Sequence, residues 1–183
     1  MAIRKIARLG NPVLREKTRE IPPDQIRSPE VQRLIDDMIE TMREYEGVGL
    51  AAPQVHESVR LFITADIYDP EDSEKLLALA RVVINPQLTF LTQDEIEYWE
   101  GCLSVPDLRG LVHRPRMLRV SGYDRTGNEV QFEAVDFAAV VYQHEYDHLD
   151  GVVFLDRMTD MKKLAFLREF GRYIAGPDEK VAD

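Results

Sequence analysis

The chain has 183 residues, a mass of 21.1 kDa, a formal net charge of −10 and a sequence pI near 4.9. This length is enough for one sizeable core, and no linker rich in Pro, Gly or Ser divides it. We therefore expect residues 1–183 to form a single domain. The acidic balance argues against a general polyanion-binding surface, so DNA binding is not expected.

The sequence contains no run of 18 apolar residues, and its first ten residues include no continuous hydrophobic segment. We therefore expect no membrane span and a cytoplasmic location. The single cysteine, Cys102, cannot form an internal disulfide, which fits a reducing compartment. It can be a buried filler, a reactive thiol or a metal ligand.

Two helices are predicted near the N-terminus. Asn11-Pro12 resembles an N-cap followed by proline at the first helical position, and Ser28-Pro29 repeats the pattern. The second helix is long and ends near Gly47, since one apolar stripe continues through it: Val31, Leu34, Ile35, Met38, Ile39 and Met42.

The middle of the chain predicts antiparallel sheet. Stretches rich in β-branched and aromatic residues lie at 59–65, 81–90, 96–105 and 117–123, and a turn at 124–128 leads into 130–135. Residues 69–79 are polar enough for a surface excursion. After Thr159, helical spacing of four apolar residues predicts a C-terminal helix: Leu164, Leu167, Phe170 and Ile174.

Residues 144–148 read His-Glu-Tyr-Asp-His in a stretch of helical apolar spacing. On a helix, positions i and i+4 lie about 40° apart, so the imidazoles of His144 and His148 can bind one cation. Glu145 cannot be a third ligand on the same stripe, but it can reach a metal-bound water as a general base. The pentapeptide predicts a metal hydrolase.

The same helix should begin after Asp136, a candidate N-cap, and stop at Gly151. Its apolar stripe includes Phe137, Val140 and Val141, which predicts an apolar pocket beside the metal. The alternatives are a surface helix that carries two histidines by coincidence, or a core histidine satisfied by a hydrogen bond. The order of elements predicts an α+β fold, with antiparallel or mixed sheets around this central helix.

A catalytic metal site needs about three protein ligands, and the helix supplies two. The candidates for the third are Cys102, His56, His113 and many carboxylates. Cys102 is favoured by its neighbours in Glu-Gly-Cys-Leu-Ser, residues 100–104, where glycine permits close approach of the backbone. A cysteine can equally be a small buried hydrophobe, so both interpretations stay open.

Residues 47–54 read GVGLAAPQ, which is not a phosphate loop because the third glycine of a dinucleotide motif and a GK[ST] sequence are both missing. Small residues here would let backbone groups line a cleft, with Gln54 as an amide donor. The alternative is a tight connection between a helix and a strand.

Taken together, GVGLAAPQ, EGCLS and QHEYDHLDG closely resemble the motifs of the peptide deformylase family, and they span residues 47–151. The resemblance implies removal of the formyl group from N-formyl-methionyl nascent polypeptides, with release of formate. It implies that Cys102, His144 and His148 hold one divalent metal, whose bound water is the nucleophile, and that Glu145 is the general acid and base. The expected metal is Fe²⁺ in cells, with Zn²⁺, Ni²⁺ or Co²⁺ in purified protein.

The resemblance also implies further roles at the site. The backbone N–H of Leu103 and the amide of Gln54 would stabilise the oxyanion. Gly49 would bind the peptide backbone, and Glu100 and Arg109 would lie near the entrance, unless they pair with each other or with solvent. The methionine pocket would include four apolar side chains: Val48, Phe137, Val140 and Val141.

Two rival functions remain open. A metallopeptidase would need a downstream His or Glu ligand, and no His follows His148. A catalytically idle, metal-stabilised module would need a fourth ligand, for which His56 or His113 is available. We further expect a monomer. The resemblance implies transient ribosome contact through a basic C-terminal helix that carries Lys162, Lys163, Arg168 and Arg172. An ordinary solvated face is the favoured explanation of these four charges.

Overall fold

The computed structural model describes residues 2–65 and 80–175. Four α-helices lie in this part: α1 Pro29–Glu44, α2 Phe137–Leu149, α3 Phe154–Arg157 and α4 Leu167–Tyr173. Its eight strands are β1 Gly49–Ala51, β2 Leu61–Thr64, β3 Arg81–Phe90, β4 Glu95–Cys102, β5 Val105–Pro115, β6 Met117–Tyr123, β7 Glu129–Val135 and β8 Leu164–Phe166. The predicted surface excursion at 69–79 lies outside the described residues.

The strands form two sheets in which every neighbouring pair is antiparallel. One sheet has five strands in the order β1-β2-β3-β6-β7, and the other has three in the order β4-β5-β8. The central helix α2 packs against strands of both sheets. The predicted α+β class with antiparallel sheets is therefore confirmed.

Helix α1 begins as its sequence predicts. The Ser28 hydroxyl accepts a hydrogen bond from the Val31 N–H at 3.3 Å, and Pro29 occupies the first turn. The apolar stripe packs on the five-stranded sheet, where Ile35 and Met38 are fully buried. The helix ends within three residues of the predicted stop, and the Gly47 N–H donates to the Met42 carbonyl at 2.9 Å.

Strand β2 is buried on both faces, which explains its continuous apolar sequence. Leu61 and Ile63 belong to the core beneath α1, whereas Phe62 points to the opposite face and packs beneath α2. The five-stranded sheet is therefore covered by a helix on each side. No helix in the described part is long and apolar enough to cross a membrane.

Helix α2 begins after Asp136, but the predicted side-chain cap is wrong. Asp136 makes no capping bond, because its carboxylate pairs with Arg116 while its backbone adopts a φ of 54°. The predicted stop at Gly151 is confirmed, since this residue has a φ of 75° and its N–H donates to the His148 carbonyl.

Four strands differ from the sequence predictions. The predicted strand at 96–105 ends at Cys102, and a two-residue turn then starts β5, which was not predicted. Strand β1 was also not predicted. The predicted C-terminal helix is confined to Leu167–Tyr173, because Leu164–Phe166 instead pairs with β5 as β8.

Candidate metal centre

Cys102, His144 and His148 come together at one end of α2. Their ligand atoms all lie within 4.8 Å of one another, and the Cys102 Sγ lies 3.3 Å from the His148 Nε2. The two imidazole rings stand edge to face, with centroids 5.0 Å apart. One turn of helix thus places two candidate nitrogen ligands beside a candidate sulfur ligand that lies 42 to 46 residues earlier in the chain.

The β4-β5 hairpin brings the cysteine to the helix. Cys102 pairs with Val105 across a turn formed by Leu103 and Ser104, so the sulfur lies where the strand ends. The Arg109 guanidinium lies against Gly101, where any Cβ would overlap with it. Glycine thus permits the close approach of the Arg109 side chain to the backbone here, as its place in EGCLS predicts.

A buried ion pair supports His144 from behind. The His144 Nδ1–H donates to the Glu100 Oε2 at 2.7 Å, which leaves the Nε2 of the ring as the available ligand atom. Arg114 grips both Glu100 oxygens, with distances of 2.7 and 3.0 Å. Glu100 and Arg114 are only 3% and 4% exposed, so this pair works in a low-dielectric environment.

The electrostatics of the site favour a thiolate beside the imidazoles. Burial raises the pKa of the Cys102 thiol, but the electrostatic interaction with His148 and hydrogen bonds from both rings hold it well below the usual range. Burial likewise raises the pKa of Glu100, but hydrogen bonds from His144 and Arg114 lower it to about 2. Glu100 is therefore an anionic acceptor at neutral pH.

Glu145 lies against the backbone of β1. Its carboxylate lies so close to Gly49 that a Cβ there would overlap with it. Its Oε2 is buried and has no hydrogen-bond partner. Burial raises the pKa of Glu145 to about 7, and the two imidazoles oppose that rise only in part. An unpartnered buried carboxylate of this kind is suited to exchange a proton with a small molecule.

Gln54 is held by its own loop with its amide nitrogen toward the cysteine. The Oε1 accepts from the Ala51 N–H at 2.8 Å, and the Nε2 donates to the Ser104 Oγ at 3.3 Å and the Cys102 Sγ at 3.5 Å. Gln54 is 1% exposed. GVGLAAPQ thus serves as both a tight connection and a cleft wall.

These residues share a cleft of about 610 Å³. Every predicted site residue lines it except His148, which lies beneath the floor and is 1% exposed. The apolar wall is formed by Phe137, Val140 and Val141 of α2, with Val48 exposed at the rim. The Phe137 ring lies 5.1 Å from that of Tyr98. The apolar stripe and the candidate metal ligands therefore do meet in one cavity.

One sequence expectation needs revision, and two alternative ligands do not belong to the cluster. Glu100 does not lie near the cleft entrance: it is buried behind His144 and pairs with Arg114, not with Arg109 or solvent. His56 and His113 lie away from the ligand cluster, with His56 exposed in a left-handed turn and His113 beside Glu97. Arg109 does line the cleft, where it is half-buried.

Sequence reasoning missed the charged residues beneath the site. Asp147 is buried on α2, and its carboxylate binds Arg114 at 2.6 Å and Arg157 at 2.6 and 3.0 Å. Asp147 lies inside the pentapeptide, and Arg114 shares the inward face of β5 with Gly110 and Val112. The alternation of β5 is the signal that would have found Arg114.

The chain is similar to proteins of one family over most of its length. The model of the polypeptide deformylase family matches residues 3–164. Peptide deformylase 2 of a Nostoc species is 44% identical over 153 residues, which are 84% of each chain. The peptide deformylase of Leptospira biflexa is 38% identical over 172 residues, 91% of this chain and 93% of the relative. The crystal structure of peptide deformylase from Thermotoga maritima matches with a TM-score of 0.78 at 34% identity, covering 87% of this chain and all of that one.

Proposed function

The chain belongs to the polypeptide deformylase family, whose members are hydrolases, and we propose that it removes the formyl group from N-formyl-methionyl nascent polypeptides using the cleft described above. The observation that carries this proposal is the convergence of Cys102, His144 and His148 within 4.8 Å beside the unpartnered carboxylate of Glu145. The rival idle module lacks support, because neither His56 nor His113 approaches the cluster as a fourth ligand.

The donor set fits a catalytic divalent metal. A thiolate with two neutral imidazoles supplies three ligands of the kinds that zinc, iron, nickel and cobalt accept. When bound, the metal would polarise the formyl oxygen and lower the pKa of a coordinated water. We propose Fe²⁺ as the metal in cells. Metal analysis of protein purified without oxygen tests this, and a stoichiometric metal other than iron in that preparation would contradict it.

Glu145 would move the proton. Its unpartnered oxygen accepts a proton from the attacking water, and the same carboxyl returns it to the leaving amine. The Gln54 amide and the Leu103 backbone N–H would donate to the developing oxyanion, and each such donor is worth roughly 3 kcal/mol. Gln54 is suited to this because the Ala51 N–H fixes its carbonyl oxygen and so orients its amide nitrogen.

The walls of the cleft would bind the rest of the substrate. The peptide backbone would pair with Gly49, because β1 is the end strand of its sheet. The methionine side chain would enter beside Phe137, Val140 and Val141, since an unbranched thioether adapts to an apolar pocket. Arg109, half-buried at the cleft, would bind the peptide farther from the formyl group.

Formate release from a formyl-Met peptide tests the proposal. Metal-loaded wild type should release formate, and Glu145→Gln should be slower by about 10² to 10⁴-fold, the usual range for a lost general acid and base. Its metal content should not change, because Glu145 is not a proposed ligand. The matched control is Glu129→Gln, which removes an exposed carboxylate from β7. Undiminished release by Glu145→Gln, or none by wild type, would contradict the mechanism.

We also propose that the chain acts as a cytoplasmic monomer with transient ribosome contact through its C-terminal basic residues. Lys162, Lys163, Arg168 and Arg172 are all exposed. The test is ribosome co-sedimentation of the Lys162→Glu, Arg168→Glu double variant, which keeps the β8 pairing to β5. Unchanged co-sedimentation would contradict ribosome contact, and a dimeric mass in sedimentation would contradict the monomer.

A further inference from the structure

Asp147 is a buried carboxylate on the helix that carries the proposed metal ligands, and two arginines share it. Its side chain is 7% exposed. Arg114 reaches one oxygen through Nη1 at 2.6 Å. Arg157, at the end of α3, binds both oxygens, with Nη2 at 2.6 Å and Nε at 3.0 Å.

The two arginines contribute unequally to the hydrogen bonding of Asp147. Arg114 uses Nε and Nη2 for the two oxygens of Glu100, and only its remaining Nη1 is available for Asp147. Arg157 binds Asp147 in a bidentate manner, through the Nε and Nη2 of its planar guanidinium group. The network then contains two carboxylates and two guanidinium groups, so its formal charge is balanced only when Arg157 takes part.

The network ends on a proposed metal ligand. Glu100 accepts the hydrogen bond from His144 Nδ1, so the position of Arg114 determines how firmly this acceptor is held. Helix α3 contacts the same imidazole directly, because the Phe154 ring stacks on His144 with centroids 6.3 Å apart. Both ends of α3 therefore contact the part of α2 that carries the proposed metal ligands, one through Phe154 and the other through Arg157.

We propose that Arg157 is a positioning residue that holds His144 in its ligand orientation through Asp147, Arg114 and Glu100. Without Arg157, buried Asp147 would retain one bonding partner and would draw Arg114 toward itself, away from Glu100. The Glu100 carboxylate would then be less fixed, and a less fixed acceptor weakens metal binding by the ring it orients. This inference rests on the metal site of the proposed function.

The test compares three variants as Co²⁺-loaded protein. Arg157→Ala should weaken Co²⁺ binding by about tenfold in competition with a chelator, the lower end of the usual cost of losing an outer partner. It should also change the visible absorption spectrum of the bound Co²⁺. The kcat of formate release should fall, and KM should change less than kcat does. Arg157→Lys keeps the positive charge but not the planar guanidinium group. Its losses of Co²⁺ affinity and kcat, and its spectral change, should each be smaller than those of Arg157→Ala.

Arg15→Ala is the matched control. Arg15 pairs with Asp156 on the same short helix but has no bond to Asp147. This variant should leave the Co²⁺ affinity and spectrum as in wild type, even if α3 becomes less stable. Arg157 is half-exposed, so its removal should not prevent folding.

The outcomes separate this inference from the proposed function. If wild type binds no Co²⁺ or releases no formate, the proposed function fails. If wild type does both, and Arg157→Ala matches Arg15→Ala in affinity, spectrum and kcat, the positioning role is overturned. A lower thermal stability of Arg157→Ala with an unchanged Co²⁺ spectrum would also overturn it, because that pattern indicates a purely structural ion pair.

Discussion

The His144 Nδ1–H donates to the Glu100 carboxylate at 2.7 Å across 44 residues of sequence. This hydrogen bond joins the central helix to the strand that ends at Cys102. It fixes the ring so that Nε2 faces the sulfur and the second imidazole. Two of the three motifs are thus linked by a contact that holds the proposed ligands in place.

Glu100→Gln should weaken metal binding by about 10 to 100-fold, because the neutral amide is a poorer acceptor for the imidazole N–H. Arg114 would also lose its anionic partner, and breaking a buried pair lowers the free energy of unfolding by about 3 kcal/mol or more. Chelator competition measures the first effect, and urea unfolding of metal-free protein measures the second.

Glu97→Gln on the same strand is the control. Glu97 is 64% exposed and lies 3.9 Å from His113, so its loss should change neither quantity. Equal metal affinity for Glu100→Gln and Glu97→Gln would show that the Glu100 contact to His144 has no part in metal binding.

The sequence predicted those elements whose signals are local. Arg81–Phe90 and Met117–Tyr123 match their predicted bounds, because each is a continuous stretch of strand-forming residues. Strand β5 was missed because Pro106, Gly110 and Pro115 interrupt its pattern. Helical spacing at Leu164 was misleading, since pairing with β5 outweighs local periodicity there.

The candidate site likewise combines residues that the local sequence predicts with residues that only the tertiary structure brings together. The pentapeptide predicts two ligands because helix geometry alone brings them together. The approach of Cys102 depends on the β4-β5 hairpin. Its local sequence favoured it over His56 and His113, but only the family resemblance distinguished a metal ligand from a buried hydrophobe. The partners of Glu100 could not be read from the sequence, since pairing among many acidic and basic residues depends on tertiary structure. For that reason Glu100 was placed wrongly at the entrance.

Removal of the metal should destabilise the protein. A ligand that binds only the folded state adds about 2.7 kcal/mol when its free concentration is 100 times Kd, which corresponds to about 5 to 10 °C in Tm for a chain of this size. Thermal unfolding with and without a chelator measures the change. In Cys102→Ser, which lacks the thiolate, the chelator should lower Tm much less. An equal chelator effect on both proteins would mean that the stabilising metal lies elsewhere.

Asp156 should make stability depend on pH. Burial raises its pKa, but hydrogen bonds from Arg15 and the Val153 N–H outweigh this and lower it. A carboxyl with a lowered folded pKa stabilises the protein above its unfolded pKa of about 3.9, and this contribution is lost as the pH falls through the folded pKa. Asp156→Asn should therefore reduce the free energy of unfolding at pH 7 and have less effect near pH 3.

Urea unfolding of wild type and Asp156→Asn at pH 7, 5 and 3 measures the difference in their free energies of unfolding. The titration of every other group contributes equally to both proteins and so cancels from this difference. Arg15→Ala removes the other half of the pair and should show the same dependence on pH. A difference between wild type and Asp156→Asn that stays constant over this range would show that the Asp156 charge is not involved.

Gly49→Ala should impair catalysis without loss of the metal. The added Cβ would overlap with the Glu145 carboxylate, so either the strand or the carboxylate must move. Because Glu145 is the proposed proton carrier, we expect formate release to fall by about 10-fold or more, since small displacements at a reacting centre are costly.

Gly47→Ala provides the comparison for Gly49→Ala. Its Cβ would meet the end of the Leu103 side chain at 3.2 Å and the Gly49 carbonyl at 3.3 Å, and the flexible Leu103 end can shift. Its loss of activity should therefore be much smaller, with metal content equal to that of wild type in both variants. If Gly49→Ala releases formate as fast as Gly47→Ala does, the close contact between β1 and Glu145 does not determine the rate.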